Sequence, residues 1–185
     1  MVSLAALWMP IVLSAIFVFI ASSIMHMFLP YHRSDYSALP EEEKTLVTLR
    51  GLGLQRGMYI FPFSSHKEMK SPAMTEKYKL GPVGMMTVLN SEPPPMPKFL
   101  GLWFLFCLIV GVFVAYISGH TLEVGTPYLA VFRVAGSVAF MAYGVGRLSD
   151  AIWRGQTWSA TIKEVVDGLI YGLLTAGTFG WLWPR

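Results

Sequence analysis

His26, Asp167 and Tyr143 are the residues whose types and placement could do chemistry together. Each falls about one turn inside the same end of an apolar segment, so antiparallel helices would bring all three to one level. A histidine beside a carboxylate can relay a proton or orient a ligand. The plainer reading is a satisfied buried hydrogen bond, and it is preferred here. Arg133 and Glu123 form a second candidate pair at the opposite end. Arg133 would lie about 10 Å deep at 1.5 Å per residue. An arginine there costs roughly 2.5–3.5 kcal/mol on insertion scales and should face the bundle interior with a partner. Glu123 is the nearest acid in sequence, with Tyr116, Thr175 and Thr178 at comparable depth. An ion, lipid or substrate site is possible chemistry for this pair, and a structural ion pair is the preferred reading.

Other constellations carry less. Haem ligation by two histidines needs both at one membrane depth, whereas His26 and His120 fall at opposite ends. His26 with Met141 would give a His/Met ligand set, a weak signal in a chain with 11 methionines. Met25-His26-Met27 suggests Cu(I) by its thioethers, but consecutive helix positions diverge. No cofactor and no metal site is therefore expected. Gly51-Leu52-Gly53-Leu54-Gln55-Arg56-Gly57 misses the dinucleotide spacing and follows a helix rather than a strand. Ser64-Ser65-His66 lacks the partners of a nucleophile site. The single cysteine, Cys107, sits in an apolar run and reads as a small hydrophobe. With no convincing catalytic set, the reading leans away from an enzyme.

The elements that must position these residues are membrane helices. The chain has 185 residues, 54% hydrophobic and 14% charged, against about 25% charged in soluble domains. Met1 to His32, Phe99 to Gly119 and Gly168 to Pro184 contain no Asp, Glu, Lys or Arg, and about 20 apolar helical residues span a bilayer. The N-terminal run lacks a basic flank and is too long for a signal peptide core, so it reads as a span. Four spans are expected: Leu4 to Leu29; Phe99 to Ser118, after Pro93-Pro94-Pro95-Met96-Pro97; a third opening at Thr126-Pro127 and ending near Gly146; and Lys163 to Trp183. Residues 147–162 form a short interfacial connection. Tryptophans 8, 103, 153, 158, 181 and 183 and Tyr128 lie near span ends, as interfacial aromatics do. On the fourth span Gly168, Gly172, Ala176 and Gly180 recur every four residues. Such a small-residue stripe admits a close helix backbone, from within the chain or from another copy.

Residues 30–98 read as an inserted α+β domain. Pro40-Glu41-Glu42-Glu43 opens a helix, and Gly51 and Gly53 end it. Met58 to Phe61 and Val83 to Leu89 read as strands, with a second short helix capped by Ser71-Pro72. Two strands make a marginal sheet, so the domain wants a partner surface. This loop holds nine basic residues and the Arg147–Lys163 connection three more, while His120 to Gly125 holds none. The basic loops are therefore expected in the cytoplasm and both termini outside. The formal charge of +3 gives no reason to expect nucleic acid.

His26-Met27 to His32-Arg33-Ser34-Asp35-Tyr36, Gly81-Pro82-Val83-Gly84 to Met86-Thr87-Val88, and Asp167-Gly168-Leu169-Ile170-Tyr171-Gly172-Leu173 together resemble a family of bacterial inner-membrane proteins of about this length. That resemblance covers most of the chain. It implies the bacterial cytoplasmic membrane and supplies neither an activity nor functional residues.

The expectation is thus an all-α membrane protein of four transmembrane helices: residues 1–29, the insert at 30–98, and helices two to four within 99–185. Its expected role is a non-catalytic accessory or scaffolding subunit of a larger membrane complex, whose partners are lipid and other subunits or a second copy. A small transporter or channel, using Arg133 and Glu123 at one face and Asp167 and His26 at the other, is the first alternative. A haem- or copper-bearing redox subunit is the second.

Overall fold

The computed structural model describes residues 1–185 as two compact units: one of residues 1–35 with 95–185, the other of residues 36–94. The first unit is a helical bundle. Its helices are α1 (Trp8–Ser23), α4 (Met96–Thr121), α5 (Tyr128–Tyr143), α6 (Leu148–Trp153) and α7 (Trp158–Trp181). The inserted unit holds α2 (Glu42–Gly51), β1 (Gly57–Phe61), α3 (Pro72–Leu80) and β2 (Gly84–Val88).

Three helical segments are long and apolar enough to cross a membrane: Leu4–Phe28, Met96–Thr121 and Tyr128–Trp153. The third runs past the expected stop near Gly146, because the tight turn Val145–Arg147 leads directly into α6. Pro127 is the N-cap of α5 rather than its first helical residue. The expected fourth span, α7, is 24 residues long but is not among these three. Its inward face explains why. Asp167, Thr161, Thr175 and Thr178 are buried there beside Gly168, Gly172 and Ala176, so small and polar residues stand where a lone span would carry Leu or Val.

The bundle leaves many large apolar side chains outside, although Leu7, Val18, Val114, Val131 and Phe179 are fully buried. Phe17, Ile20, Leu105, Ile109 and Phe113 face outward, while Ser14, Ala15, Ser22, Ala115, Ser118, Ala135 and Ala139 are buried. Large apolar side chains outside and small ones inside suit lipid, where helices associate by close packing rather than by hydrophobic expulsion. The buried hydroxyls of Ser14, Ser22, Thr175 and Thr178 donate to carbonyls three or four residues back on their own helices.

The small-residue stripe on α7 meets α5 of the same chain. A Cβ added at Gly172 would stand 3.2 Å from the Phe140 backbone nitrogen and Cβ, and one at Gly180 would stand 2.8 Å from the Tyr128 ring. From α5, a Cβ at Gly136 would stand 3.0 Å from the Ala176 Cβ. At Gly168 the obstacle is the backbone of Gly144 and Tyr143. This stripe is therefore an internal seam.

Residues 30–35, assigned to the insert on sequence grounds, belong to the bundle unit. In the inserted unit the two strands pair antiparallel, with Gly57 opposite Val88 and Phe61 opposite Gly84. Ser71 caps α3 by accepting from the Met74 backbone N–H.

The seam predicts a graded mutational response. Gly168→Ala and Gly172→Leu should lower the melting temperature of the detergent-solubilised protein, since overpacking costs about 1–3 kcal/mol. Gly101→Ala, where a Cβ meets nothing within 4 Å, should leave it unchanged or raise it.

Candidate functional site

At one end of the bundle α1 leaves the α-helical path. Ile24–Phe28 form a π-turn and Pro30–Asp35 a 3₁₀ turn. Pro30 has no N–H to continue a helix, so the chain folds back across the end of α7. A π-turn re-aims side chains relative to a regular helix and is frequent at functional sites. Here it presents His26, and the turn after it presents His32, to the same carboxylate.

Asp167 is that carboxylate. Its Oδ2 lies 2.8 Å from His32 Nε2 and 3.5 Å from His26 Nε2. The two imidazole rings lie face to face, with centroids 4.3 Å apart and planes inclined by 33°. On its other nitrogen, Nδ1, His32 contacts Asp35 Oδ2 at 2.6 Å. Asp35 is held in turn by Lys163, whose ammonium donates to Asp35 Oδ1 at 2.6 Å, to the Tyr31 carbonyl at 2.6 Å and to Ser34 Oγ at 2.8 Å. All three ammonium protons are thereby used on one turn. The result is a continuous chain, Lys163–Asp35–His32–Asp167, closing residues 31–35 onto α7.

The Lys163 hydrogen bond, and after it the one from His32, holds the Asp35 carboxyl below the usual carboxylate range. The sign follows directly. A lowered carboxyl pKa adds stability at pH values above the ordinary range, and that stability is lost as pH falls through the lowered value. The turn therefore stays clamped at neutral pH and loosens only in acid.

Asp167 is 2% exposed, and its Oδ1 has no hydrogen-bond partner in the protein. The hydroxyls of Tyr171 and Tyr31 are also buried and unpartnered; Tyr31 packs on the His32 ring at 4.1 Å. Asp167 and Tyr171 line a cavity of about 350 Å³ together with His26, Trp103, Tyr143 and Glu164. His26 and Trp103 also line a second cavity of about 270 Å³, with Ser22, Met27 and Leu100. A second ionic network closes the far wall. Arg147 bridges Glu164 at 2.7 Å and Asp150 at 3.2 Å, Arg154 reaches Asp150 at 3.4 Å, and Gln156 donates to Glu164 at 3.0 Å.

The structure brings His26, Asp167 and Tyr143 together around one cavity. It does not bring Arg133 to Glu123. Arg133 is exposed, because α5 buries Val131, Ala135, Ala139 and Tyr143 and residue 133 lies on the other face. From there its stem can carry the guanidinium toward the interface. Glu123 is tied through its backbone, its carbonyl accepting from Trp183 Nε1 at 2.9 Å. Met141 is exposed, and Met25 is buried while Met27 is exposed and lines the second cavity with His26. His32, Asp35, Lys163, Tyr171 and Glu164 were not among the sequence candidates. One signal for them was the spacing His32-x-x-Asp35, which a 3₁₀ turn places on one side.

No protein-family model, no curated protein and no solved structure matches the chain. The site must be judged by its geometry.

Replacing Lys163 by Met keeps the stem but removes three donors and leaves Asp35 without its cation. Hydrogen bonds to charged groups contribute roughly 1.5–3 kcal/mol each. Thermal melting of Lys163→Met at pH 7 should show a clear loss of stability, and the loss should shrink in acid, where Asp35 is protonated in both proteins.

Proposed function

We propose that the chain is an accessory subunit of a larger membrane assembly, anchored by four crossings of a bacterial inner membrane. The fourth crossing is α7, too polar to stand alone and accommodated by its glycine seam with α5. The basic residues of 30–98 and 147–163 support an orientation with the inserted unit in the cytoplasm and both termini outside. In this orientation the His26–Asp167 site opens at the cytoplasmic end of the bundle.

The observation that carries the subunit reading is the inserted unit's open apolar surface. Among residues 36–94 only Met74 is buried. The register sets Met58 opposite Thr87 and Ile60 opposite Met85. These four share one face of the sheet, and Met58, Ile60 and Met85 are exposed by 73%, 47% and 50%. A two-stranded sheet with such a face gains most of its stability by covering it. The small-residue stripe no longer argues for a partner helix, since α5 fills it.

The transporter alternative is supported on one side only. Its inner pair, His26 and Asp167, is within 3.5 Å, while Arg133 stands on the lipid-facing side of α5.

Two measurements test the proposal. The protein extracted in mild detergent should elute with other membrane proteins at stoichiometric yield, and Ile60→Lys with Met85→Lys should release them without lowering the bundle's melting temperature. Elution alone at the mass of one chain would overturn the reading. A reporter fused after Arg185 should be active outside the cytoplasm; activity inside would overturn the orientation.

A further inference from the structure

We infer that His26, His32 and Asp167 form a binding site for a divalent transition-metal ion of the zinc type, with its remaining coordination position open to the 350 Å³ cavity. This goes beyond the subunit reading and does not depend on it.

Four observations converge. First, one ligand atom from each of the three residues lies within 4.8 Å of the other two. Zinc takes imidazole nitrogen and carboxylate oxygen at about 2.0–2.2 Å in a tetrahedron, whose edges are then roughly 3.3–3.5 Å. The His26 Nε2 to Asp167 Oδ2 separation of 3.5 Å is already such an edge. The His32 Nε2 contact, at 2.8 Å, needs to open by about half an ångström.

Second, the His32 imidazole is set up as a ligand. A metal-bound histidine ordinarily gives its other N–H to a carboxylate, which fixes the tautomer and raises the basicity of the free nitrogen. Asp35 supplies that carboxylate at 2.6 Å, and Lys163 keeps Asp35 charged and oriented. With the proton on Nδ1, Nε2 presents a lone pair toward Asp167. Without an ion this 2.8 Å contact is a hydrogen bond, which a metal ion bound to both atoms would replace.

Third, Asp167 Oδ1 is buried and unpartnered on the same carboxylate. Buried polar atoms are almost always satisfied, and a water held on the ion's open position would satisfy this one. Fourth, donor type and exposure favour such an ion. Two imidazoles and one carboxylate suit zinc and its neighbours better than calcium or magnesium. His26 is about half exposed, which leaves a route for entry. Three protein ligands with an open fourth position distinguish reactive zinc sites from closed structural ones. Tyr171, with its unpartnered hydroxyl, lines the cavity on which that position opens.

Full-length protein without a histidine tag, purified in mild detergent and stripped with chelator, should be titrated with zinc ion alone against a chromogenic chelator. One equivalent should bind. His26→Ala and His32→Ala should each weaken binding by about a hundredfold or more, and Asp35→Asn by the 10–100-fold characteristic of an outer-shell partner. His66→Ala and His120→Ala should bind as wild type does. Since His26 is half exposed, His26→Ala should melt like the metal-free wild type, so lost binding in this variant cannot be assigned to unfolding. Cobalt(II) in place of zinc should give the intense visible bands of a tetrahedral site, absent in His26→Ala. Failure of the wild type to bind one equivalent, or unaltered binding in both His26→Ala and His32→Ala, would overturn the inference.

Discussion

The structure depends on one close approach, that of the α5 and α7 backbones where Gly168 meets Gly144. Gly168 tolerates no side chain, because the space a Cβ would need is taken by backbone atoms of Tyr143 and Gly144. The neighbours of these two glycines are Asp167 and Tyr143. A contact that needs no side chain therefore sets the depth and separation of two residues that carry chemistry. The seam continues through Gly172 against Phe140 and Gly180 against Tyr128. Along its length it replaces the large apolar side chains that would have made α7 a self-sufficient span. Low hydropathy and tight packing are thus two consequences of one choice of residues.

The same logic governs the polar residues. In an apolar bundle each hydroxyl or carboxylate must find a partner. Ser14, Ser22, Thr175 and Thr178 solve this locally, on their own helices, whereas the buried Ser118 hydroxyl has no partner. At the end of the bundle it is solved at long range: Lys163 reaches across to Tyr31, Ser34 and Asp35, and Asp167 reaches His32. A turn of six residues is thereby joined to α7 by polar side chains, with Tyr31 packed against the core, and none of Pro30–Asp35 is fully buried. Trp103, donating to Ser22 at 2.8 Å, ties α4 to α1 at this level.

Much of this was legible in the sequence. Charge-free runs of about 20 residues are a strong signal because the bilayer admits few alternatives, and two of the three runs coincide with the segments Leu4–Phe28 and Met96–Thr121; the third segment, Tyr128–Trp153, carries Arg133, and the third run lies in α7. The shared level of His26, Asp167 and Tyr143 came from counting residues along antiparallel helices, and the seam from a four-residue period. Less legible was whatever depends on helix rotation or on a departure from helical geometry. Depth could be counted for Arg133, but which face it occupied could not, since the buried face of α5 is defined by small residues whose neighbours are fixed only in three dimensions. His32, Asp35 and Lys163 were hidden by Pro30. A proline normally ends an element and begins a loop, and nothing local says that the next five residues fold back. The partner helix for the stripe on α7 was likewise open, since a small-residue face does not specify which backbone will fill it.

The α5–α7 seam closes through its glycines, while the end-of-bundle site joins residues 31–35 to α7. The α5–α7 seam would close with an apolar residue at 167, and burying a carboxylate with one oxygen unpartnered costs free energy that such a residue would not. Two histidines aimed at that carboxylate, one of them backed by an aspartate and a lysine, add further polar groups to be desolvated. Buried ion pairs are often neutral or unfavourable for stability compared with apolar replacements of the same size. The cluster stands beside an open cavity, the setting of the proposed metal site. The donor set reads imidazole, imidazole, carboxylate. The lysine lies one step further out and fixes the geometry, leaving the three donors to face the occupant.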